Sequence, residues 1–451
     1  MTDVTSAATH LRDSVQYGHL WITAECREWF AEEHRLRSWL RIYAAVAEVQ
    51  ADLGRLPLEA AERIGEVAAD TPLDLPAIAE ATRRTGHSTA GLVDWLRHAV
   101  GPEAAPHVGL GVTVQDISDT WTSLTLRHTG NLVGADLRAL LDALTVLADR
   151  FRATPMAART HGQIGVPITV GFKVAQWAAE CERHLDRLEE GRQRWETAPL
   201  SGSVGSLGYW GAEGPELLEA FGGCLGLAAP PLPWGSSRDA VAEFACWAQL
   251  VAGLLARIGN EVFQLQRTEI GELAEPAHPE QISSITMPHK RNPELSEHLV
   301  TLRHLVGSSA GLLLTATLVE HERDGRAWKT EWVALPDLCC ALAKAARAAA
   351  ELVAGLHVNT ARMAENLARS GSAATSEQVV NLLAESLGRD EAFAVVRSAV
   401  ARSRPGRSWL AEIDADDRVR DTGLAFDGAD VGDRALASAV AFVDRWRQGR
   451  G

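Results

Sequence analysis

The densest cluster of polar side chains in the sequence is the stretch SSITMPHKRNPELSE, from Ser283 to Glu297. It combines adjacent serines, a lysine, an asparagine and two prolines, and the prolines prevent a helix from continuing through it. A serine acts as a base only where positive charge and backbone amides favour its alkoxide. The composition alone fits either such a site or a solvated loop between helices.

Three further stretches carry polar residues that could take part in chemistry. They are HVGLGVTVQDISDT (107–120), ARTHGQIGVPITVGFKVA (158–175) and SGSVGSLG (201–208). The last lacks the pattern GxxxxGK[ST] and a preceding strand, so it does not predict a nucleotide-binding loop. No HExxH-like spacing predicts a metal site, and no cofactor is implied.

Helical periodicity dominates the elements that must position these residues, and strand alternation is nearly absent. One apolar stripe runs through Leu137, Leu140, Leu141, Leu144, Leu147 and Phe151, and a second through Val251, Leu254, Leu255, Ile258, Val262 and Leu265. These spacings predict long amphipathic helices. A third segment, about 338–356, is rich in alanine and leucine. Long helices with wide apolar faces are typical of a helix bundle.

Composition and charge narrow the class of protein. The chain has 451 residues with 44 basic and 59 acidic side chains, which argues against a general nucleic-acid surface. No apolar run approaches the roughly 18–20 residues that span a bilayer, and the N-terminus does not resemble a secretory signal. The six cysteines show no CxxC spacing and lie mostly among apolar helical neighbours, which predicts reduced core residues in a cytoplasmic protein.

The segment Ser283–Pro293 resembles the signature loop of the fumarase/aspartase superfamily, G-S-S-x-M-P-x-K-x-N-P. The alignment puts Ser284 on the family's catalytic serine, while Ser283 replaces a glycine and Ile285 a second serine. The stretches 107–120 and 158–175 resemble the first and second conserved regions, and RTEIGELAEP (267–276) also matches. The resemblance covers at least His87 to Trp332. The matching loop residues are Met287, Pro288, Lys290, Asn292 and Pro293.

The resemblance implies a proton abstraction next to a carboxylate, through a doubly charged aci-carboxylate intermediate. Ser284 would be the base, Lys290 would stabilise negative charge, and His161, paired with Glu297, would be the general acid. Substrate binding would involve Thr113, Gln115, Thr160, Met287, Asn292, His87, His107, Arg238, Arg323 and Arg326. The threonines, histidines and arginines also have a structural alternative: a turn or helix cap for the threonines, a buried or helical position for the histidines, and an exposed surface position for the arginines.

The segment HERDGRAWKTEW (321–332) helps to decide which branch of the superfamily the chain resembles. It resembles the H-E-R-x-x-x-x-W-x-x-E-W segment of 3-carboxy-cis,cis-muconate cycloisomerases. Adenylosuccinate lyases usually carry serines after E-R-D and an N-terminal Arg-Tyr pair that binds phosphate. Here Gln16-Tyr17 lacks the arginine, which disfavours a nucleotide substrate.

Retention of His161 with Glu297 favours a lyase that releases fumarate from a small substituted succinate. Nitrosuccinate, which would give fumarate and nitrite as in actinobacterial antibiotic biosynthesis, is the favoured substrate. The cycloisomerase and adenylosuccinate lyase activities remain alternatives. A non-enzymatic homologue is a further alternative, which the retained site residues disfavour.

The resemblance also implies an all-α fold of three helical domains, at 1–107, 108–358 and 359–451. Clusters of proline and glycine support these boundaries, as in GPEAAPHVGLG (101–111). The long central helices would form a 20-helix bundle in a homotetramer. Each active site would then combine the three conserved regions from three subunits around a small dicarboxylate, without nucleic-acid or membrane partners.

Overall fold

The computed structural model describes residues 10–277, 280, 282, 284–369, 375–402, 409–426 and 428–450, and these residues are mainly helical. This confirms the predicted all-α class. The helices are α1 (Gly18–Trp21), α2 (Ala24–Trp29), α3 (Glu32–Asp52), α4 (Leu58–Asp70), α5 (Leu75–Thr85), α6 (Ala90–Val100), α7 (Val114–Arg150), α8 (Val170–Trp195), α9 (Gly214–Leu225), α10 (Asp239–Gln266), α11 (Glu294–Thr315), α12 (Gly325–Ala354), α13 (Thr360–Arg369), α14 (Ser376–Leu387), α15 (Arg389–Arg402), α16 (Trp409–Asp414), α17 (Asp417–Arg420) and α18 (Gly428–Gln448).

Four short strands accompany these helices. They are β1 (Pro155–Thr160), β2 (Gln163–Thr169), β3 (Leu273–Ala274) and β4 (His357–Val358). β1 pairs antiparallel with β2, and β3 pairs antiparallel with β4. The β1–β2 hairpin is an element that the helical pattern of the sequence did not predict.

The chain divides into two compact units. The first comprises the described residues within 1–136, 184–255 and 301–347, and the second those within 137–183, 256–300 and 348–451. The divisions fall inside the five longest helices, α7, α8, α10, α11 and α12. The three sequential domains expected from the sequence stay a prediction.

The long helices contain the apolar stripes that the sequence predicts. The first stripe lies on α7, with Phe151 just past its end, and the second lies on α10. Every residue of both stripes is buried. Burial of such a stripe supplies most of the stability of a long helix, because isolated helices are only marginally stable in water.

The first unit has a core built where α3 packs against α4 and α9. Leu40, Ile64, Leu96 and Phe221 are fully buried in it. The same core includes Ile117, near the start of α7. It therefore holds the beginning of α7 against the helices that precede it in the chain.

The second unit contains the β1–β2 hairpin, with α13 against β1 and α18 against β2. A separate apolar core of this unit joins α14, α15, α16 and α17, and Trp409 is almost completely buried in it. The hairpin is thus supported by helices along both of its strands.

Burial also accounts for two features of composition. α10 is long and apolar enough to cross a membrane, but 67% of its most apolar window is buried inside the protein, as in a core helix.

All six cysteines are free thiols, and Cys26, Cys181, Cys339 and Cys340 are buried. The prediction that most cysteines are core residues is confirmed.

Candidate active site

A cavity of about 380 Å³ in the first unit lies between two loops, residues 111–113 and 202–209. Thr113 contributes from the first loop, and Gly202 and Ser203 contribute from the second. Gly202 has φ +71, and a Cβ there would lie 3.4 Å from the Cα of Leu207. A left-handed, closely packed turn of this kind favours glycine, so the loop needs Gly202 to bring its backbone to the cavity.

A buried carboxylate joins these loops behind the cavity. Asp116 accepts hydrogen bonds from the backbone N–H groups of Thr113 (2.8 Å), Ser201 (2.7 Å) and Gly202 (3.1 Å), and from the Ser201 hydroxyl (3.0 Å). Burial raises the pKa of Asp116 to about 6, and the four donors oppose that rise. At neutral pH the group is therefore an ionised carboxylate that accepts from both loops.

Arg323 also forms hydrogen bonds to both loops. Its Nη1 donates to the Thr113 hydroxyl at 3.2 Å, and its Nη2 donates to the carbonyl oxygen of Gly202 at 2.8 Å. The structure thus brings together two residues that the sequence singled out, Thr113 and Arg323. Both were predicted to bind substrate, and that role stays a prediction for each.

Arg238 lies in a buried ion-pair cluster. Its guanidinium donates to both carboxylate oxygens of Asp119, at 2.7 and 3.1 Å, and to Glu331 at 2.8 Å. All three side chains are at most 3% exposed, and Gln115 donates to Asp119 at 3.1 Å and to the Gly235 carbonyl at 2.8 Å. With two carboxylates already bound, Arg238 is held as a structural cation here, while substrate contact by Arg238 and Gln115 stays a prediction.

The two histidines expected near the substrate lie in short connections of the first unit. His87 is exposed just after Gly86, the left-handed residue that ends α5. Its Nδ1 accepts from the backbone N–H of Thr89 at 3.3 Å. His107 is half-buried and ends a single 3-10 turn. Neither lies within an α-helix, so the helical structural alternative does not describe them.

Arg326 is largely exposed at the start of α12. It binds Asp324 through Nε at 3.0 Å and through Nη2 at 2.7 Å, and it also pairs with Glu320 at 2.8 Å. These bonds hold the pKa of Asp324 well below its usual range. The arrangement fits the surface alternative for Arg326, and its predicted binding of a substrate carboxylate stays untested.

His161 occupies the tip of the β1–β2 hairpin in the second unit. Thr160 pairs with Gln163, so His161 and Gly162 form a two-residue turn, with φ of 52° and 75°. Positive φ at both central residues defines the type I′ turn that matches strand twist. Thr160 and His161 are both exposed, and the His161 ring has no hydrogen-bond partner among the described residues. Its pairing with Glu297 therefore stays a prediction.

The base of this turn is anchored by an ion pair. Arg159, one residue before Thr160, binds both oxygens of Glu272, at 2.8 and 2.6 Å, and Glu272 is fully buried. Asn366 also donates to Glu272 at 2.8 Å. A bidentate arginine–carboxylate pair fixes orientation as well as distance, so it limits movement of the strand that carries Thr160.

Within the signature loop, Ser283 lies outside the described residues, and Ser284 is half-buried. The backbone N–H of Met287 donates to the Ser284 hydroxyl oxygen at 3.0 Å, and the N–H of Lys290 donates to the Met287 carbonyl at 3.0 Å. The Met287 amide is therefore in place to stabilise an alkoxide on Ser284. The side chains of Met287 and Lys290 are exposed in the single chain.

The remaining predicted residues lie at, or just before, the start of α11. Asn292 is half-buried two residues before α11, and Glu297 is exposed in its first turn. Glu275 accepts from the N–H groups of Leu295 and Ser296, at 3.0 and 2.6 Å. A carboxylate at a helix N-terminus satisfies unpaired donors and favours the helix dipole, so Glu275 fixes where α11 begins.

Several positioning residues were missed by the sequence reasoning. Asp116 and Asp119 were noted only as parts of a motif, and Glu272 and Glu275 only as letters of the stretch RTEIGELAEP. A signal was present for Glu272, because it lies between Ile270-Gly271 and Leu273-Ala274, and an acidic residue buried among such neighbours needs partners. Nothing in the spacing predicted which donors they would bind.

The fold and these segments define an all-α lyase with a serine-bearing loop. A family model described as Lyase matches residues 22–306. The chain belongs to this lyase family, within the fumarase/aspartase superfamily.

Three proteins that are similar to this chain carry the names of three different enzymes. The N-acetyl-S-(2-succino)cysteine lyase of Enterococcus italicus is 39% identical over 388 residues, which cover 86% of this chain and 85% of that protein. The nitrosuccinate lyase of Streptomyces davaonensis is 37% identical over 395 residues, or 84% and 82% of the two chains. The crystal structure of 3-carboxy-cis,cis-muconate lactonizing enzyme from Pseudomonas putida matches with a TM-score of 0.86 at 32% identity, covering 96% of this chain and 98% of that chain.

Proposed function

We propose that this lyase releases fumarate by β-elimination from a succinate that carries a leaving group at C2. Ser284 takes the proton from C3, and the C3–H electron pair moves toward the adjacent carboxylate, giving the aci-carboxylate. The C2–substituent bond then breaks as the C2–C3 double bond forms. The departing group takes a proton from His161.

The observation that carries this proposal is the hydrogen bond from the Met287 N–H to the Ser284 hydroxyl oxygen, at 3.0 Å. A hydroxyl oxygen that already accepts from a backbone amide is stabilised as it becomes negative. Lys290, three residues after Met287, adds a positive charge on the same short loop. Both groups would favour negative charge on the Ser284 oxygen, as the proposed base requires.

The leaving group proposed first is a thiolate, from N-acetyl-S-(2-succino)cysteine. A thiolate leaves more readily when an acid protonates it, whereas nitrite leaves as a stable anion without that help. The chain has a histidine at the exposed tip of the β1–β2 hairpin, and an imidazole can supply a proton near neutral pH. Retention of this acid supports a leaving group that needs a proton.

Nitrosuccinate, the substrate that the sequence favours, is the second candidate. It is supported by the 37% identity to the Streptomyces davaonensis enzyme. The cavity between residues 111–113 and 202–209 is lined by glycines and small polar residues together with apolar side chains and Tyr209, and its volume of about 380 Å³ suits a compact dicarboxylate.

We also propose that the active enzyme is a homotetramer, with active sites that combine segments from three subunits. Four of the five longest helices, α7, α10, α11 and α12, leave large apolar side chains exposed in the single chain. They include Val146 (65% exposed), Leu250 (53%), Leu312 (47%) and Val333 (64%). Apolar exposure repeated along helices marks an association surface. Light scattering of the purified protein tests the mass.

The deciding experiment measures fumarate by ultraviolet absorbance from a panel of substrates. The panel contains N-acetyl-S-(2-succino)cysteine, nitrosuccinate, aspartate, argininosuccinate and adenylosuccinate, and lactone formation from 3-carboxymuconate is followed separately. Fumarate from the thioether, with release of one thiol per fumarate, supports the first choice. Lactone formation with no fumarate from any succinate contradicts the elimination.

A further inference from the structure

Asp116 is a buried carboxylate that no part of the proposed reaction uses. It is 1% exposed and does not line the cavity between residues 111–113 and 202–209. It nevertheless bonds the backbone of Thr113 and of Gly202, which do line that cavity. Any influence of Asp116 on a bound molecule must therefore pass through those two residues.

We propose that Asp116 is a positioning residue, which sets the separation of Thr113 and Gly202 across the cavity and thereby the affinity for substrate. The inference rests on the proposed function for its link to substrate, and on geometry alone for its effect on the loops. Two loops far apart in sequence share one acceptor, so neither loop can shift without breaking a hydrogen bond to it.

The strength of this connection follows from its charge. Hydrogen bonds to an ionised acceptor are roughly twice as strong as neutral ones. Asp116 accepts from the N–H groups of Thr113, Ser201 and Gly202 at 2.7–3.1 Å. Arg323 completes the frame by donating to the other polar atoms of the same cavity residues, the Thr113 hydroxyl and the Gly202 carbonyl.

The substitution Asp116→Asn tests the idea while keeping the size of the side chain. An amide has one acceptor oxygen, and its NH₂ group would face N–H donors, so at least one loop must lose its bond. The matched control is Asp136→Asn, a carboxylate on the same helix α7 that pairs with Arg347 at 2.8 Å and does not line this cavity. Ser201→Ala, which removes only the hydroxyl donor, is a milder second variant that preserves the carboxylate.

Two measurements on the intact protein give the outcome. Hydrogen–deuterium exchange should be about tenfold faster in segments 109–116 and 199–207 of the Asp116→Asn variant, because each amide loses a charge-assisted bond. Ser201→Ala should accelerate only 199–207, and Asp136→Asn should change neither segment.

The kinetic constants of the Asp116→Asn variant are measured with the substrate that the wild type accepts. KM should rise about 10-fold or more while kcat changes less, because displaced contacts weaken binding.

Unchanged exchange in both segments would overturn the proposal. So would a uniform acceleration across the whole chain, which indicates general destabilisation and not positioning. An unchanged KM beside faster local exchange would overturn the link to substrate. If the wild type releases fumarate from no member of the panel, the proposed function fails, whereas the exchange result still decides the role of Asp116 in the loops.

Discussion

Asp116 and Arg323 bind the same two residues with opposite charge: the carboxylate accepts the N–H groups of Thr113 and Gly202, and the guanidinium donates to the Thr113 hydroxyl and the Gly202 carbonyl. The two loops that enclose the cavity are therefore held by a carboxylate and a guanidinium together. This frame is built entirely within the first unit, whereas Ser284 and His161 belong to the second.

The free energy of unfolding should depend on pH through Asp116. Burial raises the folded pKa of Asp116 to about 6, above the value of about 3.9 expected for an aspartate in the unfolded chain. Between these values the folded state keeps a proton that the unfolded state has released, so stability falls as pH rises through this window. The advantage of wild type over Asp116→Asn should shrink by about 1–3 kcal/mol from pH 4 to pH 6.5.

Urea unfolding of both proteins at several pH values measures this change. Tyr43 is the neighbouring titratable group, and burial raises its pKa to about 12, so it does not titrate in this range. A constant difference between the two proteins would show that Asp116 is ionised throughout.

Removal of the Ser284 hydroxyl should abolish the elimination. Ser284→Ala eliminates the base and should lower kcat by about 10²–10⁴-fold, with little change in melting temperature because the residue is only half-buried in a loop. Thr286→Val, an exposed neighbour, is the control. Comparable activity in Ser284→Ala and Thr286→Val would assign the base elsewhere.

The effect of losing His161 should depend on the leaving group. His161→Asn is the appropriate change, because asparagine tolerates left-handed backbone while lacking an acid. Fumarate release from the thioether should fall about 10²-fold, and release from nitrosuccinate should fall much less, since nitrite needs no proton. Rates from both substrates on one preparation give the ratio. Equal losses would mean that His161 binds substrate and does not act as an acid.

Breaking the buried cluster around Arg238 should destabilise the fold. Arg238→Met leaves Asp119 and Glu331 buried without their cation, which costs about 3–5 kcal/mol. Burial already raises the pKa of Glu331 against the effect of Arg238. Without the arginine that pKa rises further, so the variant should regain stability as pH falls and its carboxyls become neutral.

Arg326→Met provides the matched comparison, since Arg326 also pairs with two carboxylates but is itself 72% exposed. Thermal unfolding should show little change for this variant at any pH. A similar loss of melting temperature in both variants would contradict the distinction between the buried and exposed pairs.

The sequence predicted the elements whose signals are local. The stripes on α7 and α10 repeat at helical spacing over several turns, and the structure buries every residue of both. The β1–β2 hairpin was missed because its turn signal is one glycine, Gly162, and its strands do not alternate clearly. The roles of Asp116 and Glu275 could not be predicted, since their partners include the backbone amides of Ser201 and Leu295. Every residue except proline has such an amide, so the sequence does not show which one a carboxylate will bind.

If His161 and Ser284 act in the same active site from different subunits, two variants that are nearly inactive on the thioether substrate should restore activity on it when combined. Ser284→Ala and His161→Asn would be unfolded together, mixed in equal amounts and refolded. Some sites of a mixed tetramer then receive an intact serine from one chain and an intact histidine from another, so activity should return to a sizeable fraction of wild type. Each variant refolded alone, and a mixture made without unfolding, should remain inactive. If an affinity tag on one variant co-purifies the other after refolding and neither mixture is active, one chain supplies both residues.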